Sequence, residues 1–122
     1  MLTGRINNLQ ARVTVEILDS NGQSNPIEVL LDTGFDGQLS LPVFVVRQFN
    51  LGRGILRFGE LADGTQVQFM SYRATVLWDG QRRQVEVIES GNDPLLGMEL
   101  LLGSRVTLEV RDGGPVTITP LP

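Results

Sequence analysis

Asp32 directly follows the apolar run Val29-Leu30-Leu31 and directly precedes Thr33 and Gly34. A carboxylate placed at the end of an apolar strand is costly to bury unless it is paired or put to use. Thr33 can hold a tight turn with its hydroxyl, and Gly34 permits a backbone approach that a side chain would obstruct. An aspartate displayed on a rigid turn is what general acid–base chemistry on water requires: a proton acceptor held within reach of the reacting atoms. Alone, Asp32-Thr33-Gly34 describes an ordinary strand-ending turn equally well.

Competing chemistries are limited by what the chain lacks. Among 122 residues there is no cysteine and no histidine. Thiol nucleophiles, Ser-His and Cys-His pairs and the commonest zinc ligands are therefore excluded. Asp32 and Asp36 have oxygen ligands to offer, but too few for calcium, so neither a metal nor a cofactor is expected. The formal net charge is −4 and every cation is an arginine, which argues against nucleic acid as a partner. Arg82-Arg83, the one adjacent basic pair, follows Asp79-Gly80 and reads as the exposed end of a hairpin. No stretch approaches the length of a membrane span, and Met1–Arg12 lacks the apolar run of a signal peptide, so no membrane partner and a cytoplasmic location are expected. The length fits a single domain over residues 1–122.

The elements that must position Asp32 are short and rich in β-branched residues. Arg12–Leu18 alternates and ends at Asp19-Ser20-Asn21-Gly22, a strong hairpin signal. Ile27–Leu31 begins as a strand and becomes wholly apolar just before Asp32. Tyr72–Trp78 and Gln84–Ile88 flank Asp79-Gly80 as a second hairpin, and Val106–Val110 and Val116–Thr119 flank Asp112-Gly113-Gly114 as a third. Trp78 on such a strand reads as core. Pro42–Asn50 is a candidate helix with Ser40 as its cap, and Met98–Leu102 allows about one helical turn before Gly103. Strands of this length and spacing predict an all-β sandwich or small barrel.

Two further segments bear on Asp32. Gly59–Val67 reads as a hairpin with Asp63-Gly64 at its tip, and Pro94-Leu95-Leu96-Gly97 is an apolar strand running into the short helix. Each is unremarkable by itself. In this order and spacing, the three segments resemble the retropepsin-like aspartic proteases, a family of retroviral proteases and bacterial relatives. The resemblance runs from about Val13 to about Leu102, and Asp36–Pro42 looks like the bacterial branch. It implies a small closed acid-protease barrel with a flap hairpin and one or two short helices. It implies Asp32, Thr33 and Gly34 as the catalytic triplet. Gly34, Phe35, Asp36, Ala62, Asp63, Gly64 and Leu96 would contact an extended polypeptide substrate. Since the chain holds one such triplet, a second copy of itself would supply the other aspartate, with Val116–Thr119 as a possible interface strand.

Three departures stand out. Phe35 occupies a position where retroviral members have a small residue. Met98 stands where they carry an arginine that braces an acidic residue of the catalytic loop, which leaves Asp36 without that partner. The flap tip has the one glycine, Gly64, in place of a glycine-rich run. The same fold used as a non-catalytic peptide-binding or dimerisation module is the rival reading, and an unrelated small barrel with a chance triplet is a third.

Overall fold

The computed structural model describes all residues 1–122. Its strands are β1 (Leu2–Asn7), β2 (Gln10–Leu18), β3 (Ser24–Leu31), β4 (Leu39–Leu41), β5 (Ile55–Glu60), β6 (Gln66–Trp78), β7 (Gln81–Glu89), β8 (Leu95–Leu96), β9 (Ser104–Leu108) and β10 (Pro115–Pro120). Two short helices, α1 (Val43–Phe49) and α2 (Met98–Leu101), interrupt them. The period of two is visible in burial. Val13, Val15 and Ile17 of β2 point inward, as do Ala74, Val76 and Trp78 of β6 and Val85 and Val87 of β7.

All ten strands share one sheet in the order β5-β6-β7-β4-β8-β3-β2-β1-β10-β9, and an additional β2–β6 pairing bends it back on itself. Strands β2, β3, β8, β4, β7 and β6 thus form a hydrogen-bonded ring around the apolar core. The barrel is all-β, as expected, but it is not strictly closed. One edge of β2 is divided: Gln10–Val13 pairs with β1, and Glu16–Leu18 pairs with β6. The sheet splits there, so β1, β10 and β9 leave the ring as a wing, while β5 leaves it at the other end.

Turn chemistry accounts for most boundaries. Gly22 (φ 78°) sits in the β2–β3 turn, and Asp79 (φ 52°) and Gly80 (φ 77°) make the β6–β7 turn. Asp19 organises its own loop, and hydrogen bonds from the Asn25 side chain and then the Gln23 amide hold its carboxyl below the ordinary value. Strand β1 was not foreseen, because its turn into β2 uses Asn8 (φ 50°) and Leu9 (φ 63°), and a left-handed leucine carries no sequence signal. Helix α1 lies where expected but is capped by Pro42; Ser40, the expected cap, is buried in β4 and donates its hydroxyl to the Ser90 carbonyl at 3.3 Å. Trp78 is buried, with Arg83 stacked 5.9 Å from its ring centre.

Leu39 is fully buried where β4 lies between β7 and β8. Leu39→Ala should lower the unfolding free energy by about 2–5 kcal/mol through lost burial and a residual cavity. Urea denaturation measures this as a lower midpoint at unchanged slope.

Candidate active site

Asp32 emerges where β3 ends beside β8. The two strands run parallel, with Leu30 opposite Leu95 and Leu31 opposite Leu96. Leu30 N–H donates to the Pro94 carbonyl at 2.8 Å, and Asp32 N–H donates to the Leu96 carbonyl at 3.0 Å. The carboxylate accepts the Gly34 N–H at 2.9 Å through Oδ1, and Phe35 N–H donates to the Asp32 carbonyl at 3.1 Å. These bonds make the expected turn through the Gly34 and Phe35 amides, whereas the Thr33 hydroxyl, expected to hold it, makes no hydrogen bond within the chain. Asp32 is half-buried, while Thr33, Gly34 and Asp36 are exposed.

The rest of the loop is tied to the start of α2. Gly97 N–H donates to the Gln38 carbonyl at 2.9 Å, Met98 N–H to the Phe35 carbonyl at 2.8 Å and Glu99 N–H to the Gly37 carbonyl at 3.1 Å. Leu96 was expected among the peptide-contacting residues. Its side chain is fully buried, so its offer to the site is its backbone carbonyl. No cation reaches Asp36 within ion-pair distance, so nothing replaces the arginine missing at Met98.

Strands β5 and β6 form the expected hairpin, with Glu60 opposite Gln66. At its tip Leu61 N–H donates to the Thr65 carbonyl at 2.7 Å, and Gly64 takes φ 86°, a three-residue loop closed by a left-handed glycine. Asp63 accepts the Thr65 N–H at 2.9 Å. The Thr65 side chain first, and its amide second, hold the Asp63 carboxyl below its ordinary value. A depressed carboxylate stabilises the tip above its unfolded-state value, and that contribution is lost as pH falls through the folded-state value. Ala62, Asp63 and Gly64 are exposed, and so are the apolar Ile55, Leu56, Phe58 and Leu61. At the base of the hairpin Glu86 accepts from Arg57 Nε at 3.0 Å and from the Ser71 hydroxyl at 2.8 Å. Glu86 also donates its N–H to Gln38 Oε1 at 2.6 Å. The sequence held no local signal for this junction, because its members come from four separate segments. Nearby, burial and then the Glu89 carboxylate push the Tyr72 hydroxyl above its ordinary value, which keeps it a proton donor toward Glu89.

An apolar groove of about 700 Å³ opens beside Thr33, lined by Leu9, Leu31, Met98, Leu102, Val106 and Leu108. The run Val116–Thr119, expected to offer an interface strand, lies in β10 and is hydrogen-bonded on both sides, to β1 and to β9. At this end of the sheet the free edge belongs to β9.

No protein-family model matches the sequence, and no curated protein matches it. Solved structures do. The EIAV protease, solved with the inhibitor HBY-793, shares 27% identity and superposes with a TM-score of 0.59, over 83% of this chain and 97% of that one. A retropepsin-like aspartic protease from Rickettsia conorii shares 15% identity with a TM-score of 0.53, over 96% of this chain and 90% of that one, and so bears on the fold alone. In its fold, this chain is similar to the retropepsin-like aspartic proteases.

Proposed function

We propose that the chain is an aspartic endopeptidase that hydrolyses extended polypeptide as a homodimer. The observation that carries this reading is the Asp32 turn: a carboxylate fixed by its own Gly34 N–H, presented half-buried beside exposed Thr33 and Gly34. One chain holds one such turn, and the chemistry needs two. A two-fold contact at Thr33 would bring the second Asp32 from another copy. The exposed Thr33, the neighbouring apolar groove and the free edge of β9 supply the surface for it.

Two carboxylates held face to face share one proton. The ionised one takes a proton from a bound water, whose oxygen attacks the scissile carbonyl. The protonated one gives its proton to the carbonyl oxygen. Collapse of the resulting diol breaks the C–N bond: the proton taken from water passes to the leaving nitrogen, and one diol hydroxyl returns its proton to the pair as the new carboxyl forms, so the pair again holds one proton. An extended peptide would add as a strand along Gly34, Phe35 and Asp36, with alternate side chains in pockets. Purified protein incubated with an unfolded protein substrate from about pH 3 to 8 tests the reading. Absence of cleavage by a dimer at every pH leaves the binding-module reading.

The β5–β6 hairpin would be the lid over that peptide. It carries Ile55, Leu56, Phe58 and Leu61 exposed, apolar surface that a bound chain would cover. Lids come from the less stable parts of a fold. Amides at Ala62–Thr65 should exchange with solvent far faster than those of Val13–Ile17, and Asp63→Ala should speed exchange at Thr65 further. Protection at the tip equal to that of β2 would rule the lid out.

A further inference from the structure

We propose that Phe35 is a positioning residue for Asp32: its ring keys the loop after the aspartate onto Gly37 and Gly97 and thereby fixes the pose of the carboxylate. This rests on the protease reading above and adds to it a residue whose role that reading does not supply.

Beyond its backbone hydrogen bonds to β8 and α2, the loop has few side-chain restraints. Across residues 32–37 the only hydrogen bond to a side chain is that from Gly34 N–H to Asp32 Oδ1. Asp36 is exposed and joins no ion pair. Phe35, in contrast, is half-buried. A Cβ added to Gly37 would fall 2.6 Å from Phe35 Cζ and 2.7 Å from Cε1, and one added to Gly97 would fall 2.6 Å from Phe35 Cδ2. The ring therefore spans both glycines and fills the space of two absent side chains. Gly97 is doubly constrained, since its Cβ would also collide with the Gly37 carbonyl. Gly37 is not. Its backbone is outside the left-handed region, and besides the ring the nearest atom to its Cβ is Ile88 Cδ1 at 3.6 Å, an ordinary contact. The ring alone requires position 37 to be bare.

Phe35 is also bonded at both ends of its peptide unit. Its N–H reaches the Asp32 carbonyl, and its carbonyl receives the Met98 N–H. With the ring seated, the loop cannot slide along β8, and Gly34 N–H stays aimed at Asp32 Oδ1. With the ring removed, backbone bonds alone hold the loop, and they can shift together. Misplacement of a catalytic group by about 1 Å costs up to about 100-fold in rate.

The test compares the parent with Phe35→Ala, Phe35→Leu, Gly37→Ala and the Phe35→Ala/Gly37→Ala double variant. Phe35→Ala should lower kcat by about 10- to 100-fold with KM nearly unchanged. Gly37→Ala should give the same loss, because its methyl displaces the ring. The double variant should be no worse than either single one, since the methyl then enters the vacated space. Phe35→Leu should restore most of the rate. Hydrogen exchange at the Gly34 and Met98 amides gives a readout independent of activity: it should accelerate in Phe35→Ala and Gly37→Ala, with the β2 amides unchanged. Gly37→Ala carries the test if Phe35→Ala fails to fold. A rise in KM alone would make Phe35 a wall of the peptide pocket and overturn the proposal, as would losses that multiply in the double variant. A parent that cleaves nothing removes the protease reading, while unchanged Gly34 exchange in Gly37→Ala removes the keying role whether or not the parent is active.

Discussion

Asp32→Asn should cut hydrolysis of an unfolded protein by about 100- to 10,000-fold, the range that positioned acid–base groups contribute, while leaving the fold and the proposed dimer intact. Asparagine matches aspartate in shape and can still accept the Gly34 N–H through its amide oxygen. It can neither take up nor release the proton. In a symmetric dimer the substitution removes both carboxylates at once, together with the repulsion between them, so the variant should be at least as stable as the parent. The comparison is made on one denatured substrate from about pH 3 to 8, with sedimentation confirming equal association. A variant that cuts as fast as the parent would show that Asp32 is not the catalytic carboxylate.

Val106→Pro should dissociate the proposed dimer without unfolding the subunit. The β9–β10 ladder decides which amides are free. Glu109 N–H reaches the Pro115 carbonyl and Leu121 N–H reaches the Gly103 carbonyl, so the odd-numbered positions of β9 face β10. In an antiparallel ladder the intervening residues turn their backbone groups the other way. Val106 and Leu108 therefore present theirs at the open edge, beside side chains that line the apolar groove next to Thr33. Proline at 106 deletes a donor that makes no bond within the chain, which an edge strand tolerates. Across a two-fold axis it deletes two donors, which weakens association by about 10- to 100-fold. Activity should fall with dilution in step with sedimentation and return at high protein concentration. Asp32→Asn, by contrast, should not be rescued by concentration. A parent that is a strict monomer at every concentration would rule out the homodimer.

Much of the architecture was legible because its determinants are local. Alternation of β-branched residues marks a half-buried strand within one window, and Asn21-Gly22 and Asp79-Gly80 mark the turns between such strands because they tolerate left-handed backbone. Asp32-Thr33-Gly34, the 59–67 hairpin and Leu95-Leu96-Gly97 could be named in order for the same reason.

What remained hidden depends on pairings between distant segments. Strand β1 escaped because its turn puts Leu9 in left-handed backbone, which a leucine does not announce. The split edge of β2, from which the wing of β1, β10 and β9 leaves the ring, depends on β1 and β6 both reaching the same strand. Val116–Thr119 and Ser104–Leu108 alternate alike, yet only the sheet order leaves the second at an edge. Leu96 reads as a motif residue, and burial assigns its side chain to the core while its carbonyl holds Asp32. Phe35 reads as a departure from a small residue; only the folded chain shows it lying across Gly37 and Gly97. Residue type and period act over a few positions and are written in order along the chain, whereas an edge, a seat for a ring or a bond from Leu96 to Asp32 exists only once distant strands are paired.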